Sequence, residues 1–279
     1  MIVINKIRKL LKWRRENSSK TIGFVPTMGD LHEGHISLVR RSRTENDITV
    51  MSIFVNPKQF DRKKDFTRYR RNAKFDIKKA KSERVDMVFM PLAGDIYPPG
   101  YETYVSVENI TGGLCGRYRP GHFRGVATVV LKLLNLVRPD RVYFGRKDYQ
   151  QYKVIEKMCR DLNLGMKVTG CPTAREQDGL AMSSRNSRLN SRERVRAAGI
   201  LRSLQAVGDL LESKKRVDIT RAARLFRREL RLAGKDKVEY IEFVHPETLE
   251  PVKTLKLPVL AACAVWIGGT RLIDNILLD

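Results

Sequence analysis

Short apolar runs alternate with helix-length stretches through the first part of the chain. Segments 21–26, 48–55, 85–90 and 141–144 are dense in β-branched and aromatic residues and read as buried strands. Segments 34–45, 66–81, 126–137 and 149–162 carry apolar positions at helical spacing, and the basic, amphipathic segment 1–15 reads as a first helix. The stripe Val126, Val129, Val130, Leu133, Leu134, Val137 is a core face. Strands separated by helices imply a parallel sheet covered on both faces. In such sheets ligands bind beyond the carboxyl ends of the strands. Residues 28–35, 56–59 and 145–151 follow three of these strands and are expected to line one crevice.

After Cys171-Pro172 the pattern changes. Residues 175–186 read as a polar loop, 191–211 and 219–233 as basic helices, and 237–244, 259–267 and 271–277 as strands. The expected fold class is α/β: a Rossmann-like doubly wound parallel sheet domain over 1–174, with a second, smaller α+β domain over 175–279.

Composition narrows the classes. The chain has 279 residues, enough for one large or two ordinary domains, and 42% hydrophobic content can build a core. No apolar run approaches the ~18 residues of a membrane span. Cys115, Cys159, Cys171 and Cys263 show no C-x-x-C spacing, which predicts reduced thiols and a cytoplasmic setting. Net charge is +23, a field that attracts polyanions. The basic residues are spread along the chain, in blocks such as 6–9, 62–64 and 214–216, without interleaved aromatics. They read as solvated faces, and no specific nucleic-acid partner is expected.

Candidate chemistry sits in the turns. Pro26-Thr27-Met28-Gly29 ends the strand at 21–26, and His32-Glu33-Gly34-His35 opens a helix. Two imidazoles three apart share one helix face. Gly34 permits close backbone approach, and helix-start amides favour phosphate. Imidazoles there can stabilise charge on a phosphoryl oxygen. A zinc helix would space its histidines four apart with glutamate beside the first, so no metal site is expected here. Asn56-Pro57-Lys58-Gln59 ends the second strand with two uncharged amides, or is a plain proline-supported turn. In Gly145-Arg146-Lys147-Asp148-Tyr149-Gln150-Gln151, Lys147 suits phosphate. Asp148 suits a helix cap, a ribose or a metal-bound water, and Gln151 lies one helical turn past Lys147. Met182-Ser183-Ser184-Arg185 offers hydroxyls and a guanidinium on a mobile loop, or is a polar linker. His122, in a glycine-rich helix entry, reads as structural.

Together these segments closely resemble the pantoate–β-alanine ligase (pantothenate synthetase) family. Arg119-Pro120-Gly121-His122-Phe123, Asp178 to Asn186 and Arg271-Leu272-Ile273-Asp274-Asn275 extend the match in order along nearly the whole chain. The resemblance implies ATP-dependent condensation of pantoate with β-alanine through pantoyl adenylate, releasing AMP and pyrophosphate. Mg²⁺ would be held mainly through the ATP phosphates, and the protein would be a homodimer. It implies His35, His32, Lys147 and Arg185 as catalytic residues. ATP would be bound by Met28, Gly29, Asp30, Leu31, His32, Glu33, Gly34 and His35, by Gly145, Arg146, Lys147 and Asp148, and by Ala174, Met182, Ser183, Ser184 and Arg185. Gln59, Gln151 and Asn56 would take pantoate and β-alanine.

Four positions depart from the family pattern. Asp30 stands where a small neutral residue is expected, and Arg70 where proline follows Tyr69. Arg124 stands where small or acidic residues occur, and Ala174 replaces a valine-like residue. Two other readings remain at this point. One is a nucleotidyltransferase of the same superfamily that leaves the nucleotide on its acceptor. The other is a polyanion-binding protein on this fold.

Overall fold

The computed structural model describes residues 1–61, 63–214 and 216–279, without the side chains of 63 and 64. Arg62 and Lys215, within two of the basic blocks, lie outside the described residues. The chain divides into two compact units. The first comprises 1–108, 119–146 and 151–172, and the second 109–118, 147–150 and 173–279. The division is thus not a single cut near residue 174. Two earlier segments, 109–118 and 147–150, belong with the second unit.

The first unit is built on six parallel strands: β1 Ile2–Ile4, β2 Ile22–Thr27, β3 Ile48–Ile53, β4 Met87–Phe89, β5 Arg141–Gly145 and β6 Lys167–Cys171. Their order is β1-β4-β3-β2-β5-β6. The chain runs outward from β2 through β3 to β4, then returns to place β5 on the other side of β2. The reversal between β2 and β5 is the topological switch point of a doubly wound sheet.

Helices α1 Ile7–Glu16, α2 Glu33–Glu45, α3 Lys63–Thr67, α4 Ala73–Ser82, α5 Ala93–Ile96, α6 Leu114–Tyr118, α7 His122–Val137 and α8 Tyr149–Asp161 alternate with these strands along the chain, α6 and the first two residues of α8 being counted with the second unit. Side chains on the strands sort by the two-residue period onto two buried faces. Ile22, Phe24, Val50, Met87, Phe89, Val142 and Phe144 pack with Leu10 of α1, Val126, Val130 and Leu134 of α7, and Ile155 of α8. Val25, Met51, Ile53, Val88 and Tyr143 pack on the opposite face with Leu38 and Val39 of α2 and Ala80 of α4.

Three elements differ from the sequence reading. The first residues form the short strand β1 before α1, and β6 adds an edge strand. The helix expected over 66–81 is two, because Asn72 caps a new start: its side chain accepts from the Phe75 amide at 3.1 Å.

The second unit contains an antiparallel sheet of β7 Lys237–Val244, β8 Val259–Ile267 and β9 Thr270–Leu278, in that order. It also holds helices α9 Ser191–Ser213 and α10 Ile219–Leu230. Asn190 and Glu193 form a reciprocal cap at the start of α9, and Asp218 caps α10. Ala222, Phe226 and Leu230, four apart on α10, enter a core with Ile200, Leu204, Val259, Ala261 and Val265.

Candidate functional site

β2 and β3 are neighbours, so the turns that leave their carboxyl ends are neighbours too. The β2 exit is held from within. The Thr27 hydroxyl donates to the Ser52 carbonyl at 2.7 Å and accepts from the Gly29 amide at 3.2 Å. Gly29 and Asp30 both have positive φ, 82° and 51°, a left-handed pair that glycine and aspartate tolerate better than most residues. The next two amides meet a carboxylate. Asp76, on α4 and 1% exposed, accepts from Asp30 N at 3.1 Å and Leu31 N at 2.9 Å. The turn amides are therefore not a bare phosphate cradle, which corrects the sequence reading for residues 30 and 31. Leu31 itself is buried in the core. Sequence reasoning missed Asp76; its only local signal was a charge on the buried side of an amphipathic helix.

The Asp30 side chain is mostly covered, and Arg70 Nε lies 3.6 Å from it. Two departures from the family pattern are thus each other's ion-pair partners. Glu33 is engaged by Arg40, which also pairs with Glu83. Its carboxylate belongs to an exposed network on α2.

His32 and His35 come together at the start of α2, with ring centroids 4.1 Å apart and planes tilted by 36°. The His32 amide donates to His35 Nδ1 at 3.3 Å. Nδ1 is therefore an acceptor, and the ring proton of neutral His35 resides on Nε2. That bond leaves His35 Nε2–H as a donor, the role that an oxyanion requires.

The β3 exit is a 3₁₀ turn, Pro57–Gln59, capped by Asn56. Gln59 Nε2 donates to Met28 Sδ at 3.2 Å, joining this turn to the β2 exit. The Gln59 backbone carbonyl is held by His122 Nδ1 at 2.7 Å and Arg119 at 3.2 Å. His122 is buried and positions that turn, in line with its structural reading. Gly125, one turn further along α7, lets the backbone of 58–59 approach closely. A Cβ there would lie 2.2 Å from the Lys58 carbonyl oxygen. Arg124 stacks on Tyr104, 4.1 Å from the ring centroid. Gly145 ends β5 beside this edge. The Arg146 guanidinium would lie 3.2 Å from a Cβ on Gly170 of β6. Gln151, half-buried on α8, completes the candidates carried by the first unit.

In the second unit Lys147 and Asp148 are 3.7 Å apart. Asn275 of β9 donates to the Lys147 carbonyl at 2.8 Å. Gln150, unlike Gln151, is buried and bonds the Ile110 and Gly113 carbonyls. Residues 174–182 are not an open loop. The Met182 amide donates to the Ala174 carbonyl at 3.0 Å, and Arg175 and Ala181 pair as an antiparallel bridge. Arg175 is locked onto Asp274 at 2.7 and 3.0 Å. Arg194 holds Glu176 and Asp178. The hydrogen bonds from Arg194 hold the Asp178 carboxyl below the usual carboxylate range. Asn186 clamps the hairpin through Glu176 and the Ala181 carbonyl. From this base Ser183, whose hydroxyl accepts from the Arg185 amide at 3.3 Å, leads into the 3₁₀ turn Ser184–Arg188. Asp274 and Asn275, matched by sequence but given no role, thus support the hairpin and Lys147.

Among the described residues, no group of three or more His, Cys, Asp or Glu could hold a metal ion. No helix there is long and apolar enough to cross a membrane. All four cysteines are unbridged and buried.

The first unit is a doubly wound α/β sheet with an imidazole pair at the start of the helix that follows β2. The pantoate-beta-alanine ligase family model matches residues 2–277, and the chain belongs to that family. It is 49% identical to a pantothenate synthetase of Caldicellulosiruptor saccharolyticus, covering 100% of both chains. It is 50% identical to one of Pseudothermotoga lettingae, covering 100% of this chain and 99% of that one. The crystal structure of pantothenate synthetase from Thermus thermophilus aligns with a TM-score of 0.93 at 40% identity, over 100% of this chain and 99% of that one. The pantoate-beta-alanine ligase of Francisella tularensis, complexed with beta-gamma ATP and beta-alanine, aligns with a TM-score of 0.78 at 35% identity. It covers 99% of this chain and 97% of that one.

Proposed function

We propose that this chain condenses pantoate with β-alanine at the expense of ATP, through pantoyl adenylate, releasing pyrophosphate and AMP. The observation that carries the reading is the pairing of His32 and His35, ring centroids 4.1 Å apart, at the start of the helix that follows β2, with the donor amide of Gln59 bonded to Met28 in the turn before them. A carboxylate is a poor electrophile. Adenylation gives it a leaving group, and the barrier falls when the acid is held in line with the α-phosphorus. Gln59 and Gln151 would hold pantoate, with Asn56 behind Gln59 and the β-alanine path beside it.

Met28 and Gly29 would border the nucleotide, with the amides of Glu33 and Gly34 at the positive end of α2. His35 Nε2–H would donate to the phosphate oxygens as pyrophosphate departs, with His32 beside it. Gly145, Arg146, Lys147 and Asp148 would serve the nucleotide, with Lys147 on phosphate. Ala174 would meet adenine through its backbone. Met182, Ser183, Ser184 and Arg185 would close over the phosphates. Asp30 and Leu31 would shape the turn, since their amides are engaged by Asp76.

Mg²⁺ would neutralise the polyphosphate. The family resemblance implies that the ion would be held mainly through the ATP phosphates, hard oxygen donors of the kind it prefers. The family resemblance further supports a homodimer in the cytoplasm, which sedimentation and cell fractionation would test.

The decisive assay follows AMP release with ATP, pantoate and β-alanine, omitting each in turn, alongside ATP–pyrophosphate exchange. Exchange should need pantoate but not β-alanine, AMP release should need all three, and His35→Ala should abolish exchange. Exchange without pantoate, or a nucleotide left on the product, would overturn the proposal.

A further inference from the structure

Tyr97 lies 38 positions beyond Gln59 in the chain, yet its phenol reaches the same network. It donates to Asn56 Oδ1 at 2.9 Å, and the Lys58 amide donates to the same oxygen at 3.2 Å. Asn56 Nδ2 in turn donates to the Gly125 carbonyl at 3.0 Å and to Gln59 Oε1 at 2.9 Å. A peptide amide can only donate and a peptide carbonyl can only accept. The two ends of the Asn56 amide are therefore identified by backbone partners on either side. That assignment forces Oε1 of Gln59 inward and Nε2 outward. The outward group meets a thioether, Met28 Sδ at 3.2 Å, and sulfur is a weak acceptor that an oxygen would displace.

We infer that Tyr97 is a positioning residue for the acid subsite: through Asn56 it holds the Gln59 amide with its N–H donors toward the substrate, so that this position accepts a carboxylate or hydroxyl oxygen and disfavours a donor. The inference rests on the reading above that Gln59 contacts pantoate.

Asn56 is 1% and Gln59 8% exposed, so water cannot replace a lost partner freely. Tyr97 is itself fixed. Its ring packs edge-on against Tyr101 at 5.0 Å and near Phe54 at 6.4 Å. The Lys132 ammonium lies 5.8 Å from its centroid and 4.2 Å from that of Tyr101. Burial pushes its phenol well above the ordinary tyrosine range, so the O–H remains a donor at any working pH.

The test uses the full-length enzyme with Tyr97→Phe, which keeps the ring, with Gln59→Ala, and with both together. Pantoate-dependent ATP–pyrophosphate exchange is the readout. Loss of one buried hydrogen bond should raise KM for pantoate about five- to tenfold in Tyr97→Phe, with KM for ATP changed less than twofold. In the Gln59→Ala background, Tyr97→Phe should have no further effect on KM for pantoate, because the group it orients is gone. A merely structural role would instead add to the loss in both backgrounds and would raise both KM values. If Gln59→Ala raises KM for pantoate but Tyr97→Phe leaves it within twofold, the relay is wrong. If Gln59→Ala itself leaves that KM unchanged, the assignment of Gln59 fails, and the inference with it.

Discussion

Gly125→Ala probes how far the acid subsite depends on one close approach. The added Cβ would stand 2.2 Å from the Lys58 carbonyl oxygen, 2.5 Å from its carbon and 2.8 Å from the Gln59 nitrogen. These are backbone atoms and cannot swing aside as a side-chain tip can. Restoring an ordinary contact requires the 57–59 turn and α7 to part by about 1 Å, since real Cβ atoms essentially never come within 3.0 Å of a neighbour. Overpacking of this kind costs about 1–3 kcal/mol. At a few degrees per kcal/mol for a chain of this size, the melting temperature should fall by roughly 2–10 °C.

The larger effect should be functional. Gln59 rides on that turn, and the Gly125 carbonyl is one of the acceptors that set Asn56. A displacement of ~1 Å at a substrate-positioning group can cost about 10²-fold. The expected result is a drop of roughly 30- to 100-fold in kcat/KM for pantoate, with KM for ATP within threefold, because the imidazole pair is carried by a different turn. Gly94→Ala is the control: a Cβ there meets nothing within 4 Å, and both activity and melting should be unchanged. Steady-state kinetics with each substrate varied, together with calorimetry, decide the matter. A Gly125→Ala enzyme with pantoate kcat/KM within threefold of the parent would refute the claim that this approach places Gln59.

Three further outcomes are expected. Asp76→Ala strips the carboxylate from the amides of Asp30 and Leu31. At ~1.5–3 kcal/mol for a hydrogen bond to a charged group, urea unfolding should show a loss of about 3 kcal/mol, and a loss below 1 kcal/mol would count against that cap. Arg70→Ala exposes the Asp30 carboxylate to the nucleotide, so KM for ATP should rise about two- to fivefold at low salt and recover in the Asp30→Asn, Arg70→Ala double variant; a rise insensitive to added salt would contradict an electrostatic origin. The Arg194 hydrogen bonds depress the Asp178 carboxyl in the folded state. That contribution is complete above the unfolded value of ~3.9 and disappears as pH falls through the lower folded value. The melting difference between the parent and Arg194→Ala should therefore hold level from pH 6 to 8 and shrink below about pH 4, and a difference that widened with acid would have the wrong sign.

Local signals in the chain account for much of this fold and fail where the cause is distant. β2 and β3 are buried on both faces and announce themselves as Ile, Val and Phe runs. β1 is three residues long with two of them exposed, so its apolar residues merge into the amphipathic pattern of α1. β6, Lys-Val-Thr-Gly-Cys, lies at a sheet edge and has only a weak apolar alternation. The break between α3 and α4 was legible in principle, since Asn72 is a favoured cap residue, yet the surrounding periodicity hid it. In the candidate site, residues that follow a strand directly were readable as motifs. Asp76 and Tyr97 were not, because each reaches its turn from a separate element and their spacing in sequence carries no period.

The same distinction resolves the odd charge in the first turn. Read locally, Asp30 would repel a triphosphate, and a turn rich in amides would attract one. The structure reverses both inferences. Arg70 stands against Asp30, so that carboxylate enters the turn as half of an ion pair. Asp76 takes the two amides that looked available. Two carboxylates therefore organise the turn, and neither its net charge nor its amides at 30 and 31 are suited to bind an anion unaided. Binding of a polyphosphate must then rest on the groups one step further on, the first amides of α2 and the His35 Nε2–H. Asp76 and Arg70 hold the residues that lead into them. It follows that the imidazole pair and its supporting carboxylate should fail together. Asp76→Ala should raise KM for ATP by at least as much as it lowers His35-dependent exchange, and in a His35→Ala background it should add little to the loss already incurred.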